Sequence, residues 1–306
     1  MNRTTFNKAV VPGLFSFMVD FYKPLSGQQL WKRLASVKNS RRMYEESAYY
    51  GGLGLIPVKP EGQGIDYDEF VQGPTKRWLH RTYALGVRIT EELIEDSLYP
   101  DVPTQMETFS RELGSSARET LEVLVHDVIN SGTGTTSHTD GLDAAIFATG
   151  KARLRGGTWD TLLSPAADLS ATSLQAALDT FETSRDDSGK IQMIRAKEIW
   201  VAPANAWKAR ELLQSGYDPE SANNAINALK ERNLQLVVSA YLTDTDAFTL
   251  VADPPHASGG LIAYMRRKVT FAQDGDFETG DALLKGTFRF SVEMNKNNTM
   301  FHSAGA

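Results

Sequence analysis

Cysteine is absent from the 306 residues of this chain. Its absence excludes disulfides, thiolate nucleophiles and sulfur-ligated zinc, and it is compatible with a reducing cytoplasm. Long hydrophobic runs are missing as well. One short apolar patch near the N-terminus is broken by Pro12, Gly13 and Asp20, far short of the roughly 20 residues that span a bilayer. We therefore expect neither secretion nor a membrane anchor.

Positive charge is in deficit, because 32 Lys and Arg residues face 38 Asp and Glu residues, which gives a net charge of −6 and a pI near 5.5. Such a surface does not attract nucleic acid as a whole, although a local basic patch still can. With 41% hydrophobic and 23% charged residues, the composition is that of a globular protein with one sizeable core or two modest ones.

Catalytic signatures are missing too. The five histidines are scattered, without an H-E-x-x-H pair or a G-x-S-x-G elbow. The stretch NSGTGTTSHTDGL, residues 130–142, is rich in glycine but lacks the spacing and the lysine of a phosphate-binding loop. Within it, His138 and Asp140 are the best candidates for a hydrolase site. That hypothesis competes with the simpler interpretation of a solvated loop histidine.

The acidic stretch DGDFETGD, residues 274–281, begins like a calcium loop. An EF-hand needs a glycine and a bidentate glutamate where this chain has Thr279 and Lys285. A polar turn between two strands explains the segment better. We therefore predict no catalytic residue, no metal site and no cofactor.

Residues 28–43 carry five basic side chains and no acidic one: Lys32, Arg33, Lys38, Arg41 and Arg42. Leu30, Leu34 and Val37 recur there at helical spacing, which predicts a helix. The cations form either a solvated helix face or a patch that faces anions.

Residues 48–90 have a different character, with frequent Gly and Pro and with alternating apolar and polar residues at 65–68 and 78–83. This pattern predicts a long hairpin that turns at Gln72, Gly73 and Pro74. Its apolar residues are too isolated to form a core, so the hairpin needs a partner surface.

The rest of the chain alternates helices and strands. Thr90 caps a short helix over 91–97, and Pro103 begins a long helix whose apolar residues step by three or four down to Asn130. A small α/β domain follows, with helices near 173–184, 204–215 and 221–232 and strands near 198–202, 234–242 and 248–252. Two strand-rich segments close the chain and pair in a separate sheet.

The order of these elements resembles the bacteriophage major capsid protein of the HK97 fold. ALGVRITEELIEDS, residues 84–97, is similar to the segment that follows the family's E-loop, and residues 128–142 are similar to the end of its spine helix. EIWVAPANAWKARELL, residues 198–213, resembles the opening of the axial domain, and GGLIAYMRRKVTF and GTFRFSVEM resemble strands of the peripheral domain.

The resemblance implies an α+β, HK97-like capsid fold. Its expected parts are an N-terminal arm (1–47), an E-loop β-hairpin (48–90), a peripheral domain with a long spine helix (91–160 and 255–306), and an α/β axial domain (161–254). It further implies that the E-loop contacts a neighbouring subunit through Tyr67, Phe70, Trp78 and Tyr83.

The implied function is non-enzymatic. The chain would assemble with itself, as pentamers and hexamers, into the icosahedral head of a tailed bacteriophage, made in the host cytoplasm and retained in the virion. Scaffolding and portal proteins would be partners. Packaged double-stranded DNA would be contacted non-specifically, with the basic stretch of residues 32–42 as the candidate inner surface. Cross-linking, known in one branch of the family, would need Lys59 or Lys76, whose partners are not identified. An encapsulin-like nanocompartment and the His138/Asp140 hydrolase are the alternatives.

Overall fold

The computed structural model of the chain describes residues 22, 29–90, 92, 102–217, 226–252 and 260–306. Their helices are α1 (Trp31–Leu34), α2 (Val102–Asn130), α3 (Ala171–Glu182), α4 (Ala206–Gln214) and α5 (Ala228–Glu231). The strands are β1 (Ala35–Asn39), β2 (Tyr44–Gly51), β3 (Val71–Leu79), β4 (Arg81–Ile89), β5 (Lys151–Ala152), β6 (Thr158–Trp159), β7 (Ala196–Val201), β8 (Gln235–Val238), β9 (Phe248–Ala252), β10 (Leu261–Gly275), β11 (Ala282–Met294) and β12 (Met300–Ser303). None of the helices in these ranges is both long and apolar enough to cross a membrane.

The first sheet has the strand order β1-β10-β11-β4. Strand β1 runs parallel to β10, and the other two pairings are antiparallel. Helix α2 has 29 residues and is about 43 Å long at roughly 1.5 Å per residue. Leu121 and Val125 from this helix share one buried cluster with Phe288 and Phe290 from β11. The long helix is thus fixed to the sheet by one apolar face.

The second sheet has the order β12-β9-β7-β8. On one face, Leu174 of α3 and Leu212 of α4 pack in a cluster with Ile199 and Val201 of β7. Trp200, between those two β7 residues, belongs to the cluster that contains α2. Because both faces are covered, β9 is buried at each of its five positions and its sequence is a continuous apolar run with one threonine.

Several elements confirm the sequence predictions. The long helix ends at Asn130 as expected, and α3, α4, β7 and β9 match their predicted ranges within a few residues. The acidic stretch at 274–281 is a turn between β10 and β11, in which the Gly280 amide donates to the Asp276 carbonyl at 2.9 Å.

The helix predicted for residues 28–43 is wrong. Within the part of that range that is described, only α1 is helical, and the chain then enters β1, where Val37 pairs with Ala263 and Lys38 with Tyr264. Of the three apolar residues that suggested a helix, Leu34 is fully buried and Leu30 packs against the core, whereas Val37 is 45% exposed. Pairing with the long strand β10 outweighs the local helical pattern.

The predicted hairpin turn at Gln72, Gly73 and Pro74 is also wrong, because these residues lie inside β3. Strand β3 pairs with β2, and the connection between them is the segment 52–70. Proline is tolerated in β3 because a two-stranded hairpin leaves one side of each strand without a ladder. Strand β4 pairs with β11, so the predicted strand at 78–83 is divided between two sheets at His80.

Three predictions lie outside the described residues. These are the extended N-terminal arm up to residue 26, apart from Tyr22, the capped helix at 91–97, apart from Glu92, and the first part of the helix at 221–232. The last part of that helix is α5.

Candidate assembly surface

The hairpin formed by β2 and β3 ends in a segment, residues 52–70, which we call the hairpin tip. It contains no strand. Its large apolar side chains are exposed: Leu53, Leu55, Ile56, Val58, Ile65, Tyr67 and Phe70. Ile56 and Val58 retain 97% and 91% of their accessible surface. A concentration of exposed apolar residues on a projecting segment is typical of a surface that binds a partner.

We call the paired strands β2 and β3 the root of the hairpin. The buried carboxylate of Asp187 holds this root in place. The Tyr49 hydroxyl donates to Asp187 Oδ1 at 3.2 Å, and Lys296 Nζ lies 2.5 Å from Asp187 Oδ2. Burial, with the Asp187 charge beside it, raises the pKa of Tyr49 well above its ordinary value. The phenol therefore stays a hydrogen-bond donor, and β2 is tied to the loop before β7 and to the segment after β11.

Lys76 of β3 holds the other strand of the root. Its Nζ donates to the carbonyl oxygens of Thr139 at 3.0 Å and Asp140 at 2.8 Å, and it lies 3.1 Å from the Asp143 carboxylate. The ammonium group is thus occupied within its own subunit. Lys59, the other lysine considered for cross-linking, is exposed in the hairpin tip.

A third contact fixes the tip itself. The two Nη atoms of Arg155 donate to the two carboxylate oxygens of Asp68 at 2.9 and 2.8 Å. Asp68 also accepts the Gly54 amide at 2.8 Å. The hydrogen bonds from Arg155 and Gly54 lower the pKa of Asp68 to about 2. This carboxylate is therefore charged at neutral pH and joins the outgoing and returning branches of the tip.

The four predicted contact residues divide into two pairs. Tyr67 and Phe70 lie in the hairpin tip and are 88% and 68% exposed. Trp78 is buried in its own chain, and the ring of Tyr83 stacks on Phe288 with centroids 5.1 Å apart. Of these four residues, only Tyr67 and Phe70 leave most of their surface accessible.

The basic residues of the 32–42 stretch do not share a helix face. Lys32 and Arg33 lie in α1, Lys38 in β1, and Arg41 and Arg42 in the connection to β2. Arg33 is paired with Glu198 at 2.6 Å, and Lys38 is half-buried. Lys32, Arg41 and Arg42 are exposed.

Sequence reasoning missed a second group of cations, formed by Arg266, Arg267 and Arg289. Arg267 and Arg289 are opposite each other on β10 and β11, and irregular register places Arg266 next to them. The buried Nε atoms of Arg266 and Arg289 have no hydrogen-bond partner in the described part of the chain. The runs MRRK and FRF are visible in the sequence, but only the strand register brings them together.

A further exposed apolar set lies beside the second sheet. Trp207 on α4 is 76% exposed, and Tyr217 and Ile226, joined by an isolated β-bridge, are 62% and 79% exposed. The Arg210 guanidinium lies 5.5 Å from the Trp207 ring centroid. The described residues thus include exposed apolar side chains here as well as in the hairpin tip.

His138 and Asp140 do not form the hypothesised hydrolase pair. His138 Nε2 lies 3.0 Å from the carboxylate of Asp127 on α2. Asp140 is buried in an ion pair with Lys151, and its Oδ1 accepts the backbone amides of Leu142 and Ala144. Asp140 therefore organises the loop after α2.

Another serine and histidine do meet, in the core. Ser239 Oγ lies 3.0 Å from His126 Nε2, and His126 Nδ1 donates to the backbone carbonyl of Glu122 at 2.8 Å. All three residues are at most 1% exposed, and burial lowers the pKa of His126. Because no substrate reaches this serine and the histidine donates to a backbone oxygen, the group joins α2 to the second sheet.

Two of the three glycines of residues 130–142, Gly132 and Gly141, serve close packing. A Cβ on Gly132 would lie 2.4 Å from the Val128 carbonyl oxygen and 2.8 Å from the Phe147 ring. A Cβ on Gly141 would lie 2.6 Å from the Asn295 carbonyl oxygen. Neither glycine has a positive φ, so close approach is what requires them. For the described ranges, no group of three or more His, Asp or Glu side chains could hold a metal ion.

The fold defines the class of protein. Its architecture matches the capsid of a native GTA particle with a TM-score of 0.58 at 12% identity, covering 93% of this chain and 92% of that one. It also matches Microbacterium phage Oxtober96 (TM-score 0.55, 11% identity, 93% of each chain) and an encapsulin from Synechococcus elongatus (TM-score 0.53, 10% identity, 92% of this chain and 89% of that one). By its fold the chain is an HK97-type shell protein.

The sequence places it more narrowly. Residues 76–294 match the model of a family described as phage capsid protein, and the chain belongs to this family. No curated protein matches it. It is a structural capsid protein and not an enzyme, it assembles with itself into a shell, and its place is the virion capsid.

Proposed function

We propose that this capsid protein builds the icosahedral head of a tailed bacteriophage around double-stranded DNA, with pentamers and hexamers as its building units. The observation that carries the proposal is the hairpin tip, where apolar side chains are exposed on a segment anchored to its own subunit. Their burial against a neighbouring subunit would supply contact energy, and many repeated contacts would hold the shell.

The hairpin of β2 and β3 corresponds best to the E-loop in this proposal. Tyr67 and Phe70 bind the neighbouring subunit, whereas Trp78 and Tyr83 stabilise the root and the first sheet. The first sheet, with α2, belongs to the peripheral domain. The second sheet, with α3 and α4, belongs to the axial domain. Trp207, Tyr217 and Ile226 would then mediate contacts around the five-fold and six-fold axes.

DNA contact in this proposal is non-specific and electrostatic. Lys32, Arg41 and Arg42 are exposed members of the predicted basic stretch, and Arg33 is exposed too but is paired with Glu198. Scaffolding and portal proteins are the other partners we propose. Reversing these three charges should reduce DNA filling or scaffold retention without abolishing the fold. Normal filling and normal scaffold retention in that variant would exclude this inner-surface role.

An encapsulin-like nanocompartment is the second candidate, because the fold is also that of the encapsulin named above. The contents of the shell distinguish the two candidates. Nuclease-protected DNA inside shells formed in the native host would support the phage head, and an enclosed enzyme would support the nanocompartment.

The direct test is negative-stain electron microscopy of the purified recombinant protein, with and without a co-expressed scaffold. We expect closed shells, tubes, or rings of five and six subunits. A protein that remains monomeric in each condition would contradict the proposal.

A further inference from the structure

We infer that Arg155 is a positioning residue, which sets the direction of the hairpin tip in the subunit before the tip meets a neighbour. The inference rests on the proposed function, in which the tip is a contact between subunits. Its core is intramolecular and can be measured without a shell.

Arg155 binds the returning branch of the tip directly and the outgoing branch through Asp68. Its two Nη atoms bind the Asp68 carboxylate, and one of them also donates to the backbone carbonyl of Glu69. These residues lie on the returning branch. Asp68 in turn accepts the Gly54 amide of the outgoing branch at 2.8 Å. A planar guanidinium that meets a carboxylate with two parallel hydrogen bonds fixes direction as well as distance.

The turn that carries Arg155 is itself held by hydrogen bonds and by an ion pair at its base. The turn between β5 and β6 is closed by the Arg153 amide donating to Gly157 at 3.0 Å and by the Gly156 amide donating to Arg153 at 3.2 Å. Gly156 and Gly157 have φ values of 93° and 81°, a conformation that favours glycine. At the base of the turn, Lys151 forms a buried ion pair with Asp140.

The same turn also packs against the root of the hairpin. A Cβ on Gly73 would lie 3.1 Å from Leu154 Cδ2, and a Cβ on Gly51 would lie 3.5 Å from Leu154 Cβ. These glycines let Leu154 approach the last rung of the β2–β3 ladder. Leu154 thus supports the root, and Arg155 restrains the tip beyond it.

Preorganisation explains what this restraint would do for assembly. The tip has no strand pairing of its own, so without Arg155 it would sample many directions. Ordering it would then oppose binding, because each immobilised segment costs conformational entropy. A tip that already points in one direction loses less entropy when it docks.

Because the chain has no cysteine, a spin label that reacts with thiols attaches only at cysteines introduced for the test. Ile56→Cys in the tip and Gln175→Cys on the exposed side of α3 provide two spin-label sites, and electron paramagnetic resonance gives their distance distribution. We expect one narrow distance for the otherwise unchanged protein. Arg155→Ala and Asp68→Asn should broaden it, raising the share of displaced tips by up to about fivefold. Arg155→Lys should fall between, because it keeps the charge but loses the two-point contact.

Two comparisons keep the test specific. Arg153→Ala changes a neighbouring arginine of the same turn that forms no hydrogen bond or ion pair with the tip among the described residues, and it should leave the distance distribution unchanged. Combining Arg155→Ala with Asp68→Asn should broaden the distribution no more than Arg155→Ala alone, because asparagine keeps an acceptor for the Gly54 amide and both changes then remove the same contact between Arg155 and Asp68. Thermal unfolding of each variant shows that the core is intact.

The outcomes separate this inference from the proposed function. An unchanged distance distribution in Arg155→Ala would overturn the inference even if shells form. A broadened distribution with shells that form at the normal rate and size would overturn the role in assembly. Broadening with slower or misshapen assembly supports it. If the unmutated chain never forms shells but Arg155→Ala still broadens the distribution, the proposed function fails and the intramolecular role of Arg155 stands.

Discussion

Single residues in this chain are constrained mainly by close approach and by burial of charge, and Gly132 is the clearest example. Gly132→Ala would place a methyl group 2.4 Å from the Val128 carbonyl oxygen, which belongs to the backbone of α2 and cannot move away easily. We expect a loss of about 1–3 kcal/mol in the free energy of unfolding, as is usual for overpacking. Urea denaturation followed by circular dichroism measures it.

Gly134 provides the matched control for that prediction. It lies in the same turn, and a Cβ there would meet its nearest neighbour, the Ser131 carbonyl oxygen, at an ordinary 3.5 Å. Gly134→Ala should change the unfolding free energy by less than about 0.5 kcal/mol. Equal losses in the two variants would show that close packing at Gly132 is not the reason for its glycine.

The buried carboxyl group of Glu122 makes stability depend on pH. Burial raises its pKa to about 7 from 4.5, against the opposing effect of hydrogen bonds from the Trp31 and Leu30 amides. Between these two pH values the folded protein holds a proton that the unfolded chain releases. The contribution of this group to the unfolding free energy therefore falls as pH rises through that window and levels off above about 7.

Glu122→Gln tests this directly, because glutamine keeps the shape but does not ionise. We compare the unfolding free energy of the variant with that of the unmutated protein at each pH. This difference should favour the variant more at pH 8 than at pH 5. Glu112→Gln, at an exposed position of the same helix, should show no such difference. Urea denaturation at the two pH values is the measurement, and a pH-independent effect of Glu122→Gln would contradict the predicted ionisation.

At the scale of elements, changes in the hairpin tip should affect assembly without affecting folding. Ile56→Asp combined with Val58→Asp changes two side chains that are 97% and 91% exposed. We expect the unfolding free energy to stay within about 0.5 kcal/mol, because surface changes of this kind rarely matter for folding. Shell formation should be lost, because the change introduces charge into an apolar contact.

Lys59→Gln is the control for the tip. Lys59 follows Val58 in the hairpin tip and is exposed. Its replacement by glutamine introduces no charge into the apolar surface. Thermal unfolding and sedimentation of both variants would be compared. Normal shells from the double aspartate variant would show that the tip is not a contact between subunits.

The elements that the sequence predicted well are those with a long, consistent period. The apolar steps from Pro103 to Asn130 predicted α2, and the apolar runs predicted β7 and β9. The pattern failed where pairing partners decide the outcome. Leu30, Leu34 and Val37 have helical spacing, but Val37 pairs with Ala263, more than 200 positions away along the printed sequence.

The sequence predicted only part of the candidate surface, because exposure also depends on contacts between distant residues. Alternation in residues 65–83 indicated a hairpin that needs a partner, but it did not distinguish exposed Tyr67 and Phe70 from buried Trp78. That difference depends on the end of the β2–β3 ladder, because Trp78 lies within β3 and is buried, whereas Tyr67 and Phe70 lie beyond the ladder in the hairpin tip. Arg155 could not be found from sequence either, because its partner Asp68 is 87 positions away along the chain.

At the scale of the whole molecule, buried apolar clusters and exposed apolar side chains coexist in the described part of the chain. Helix α2 and the inner faces of both sheets form a continuous cluster that includes Leu121, Trp200 and Phe290. The hairpin tip and the surface around Trp207 remain outside it. A subunit with packed clusters and exposed apolar side chains has surface left to bury against other subunits, which is what repeated assembly requires.

The mass of the particle in solution tests the central claim most directly. Light scattering on the purified protein over a range of concentrations and at moderate salt, with a scaffold added where needed, compares that mass with the 33.8 kDa monomer. We predict species of five or six subunits and closed shells, because screening reduces repulsion between subunits of net charge −6 while apolar contacts remain. A protein that stays monomeric at high salt and with every scaffold would contradict assembly as its function.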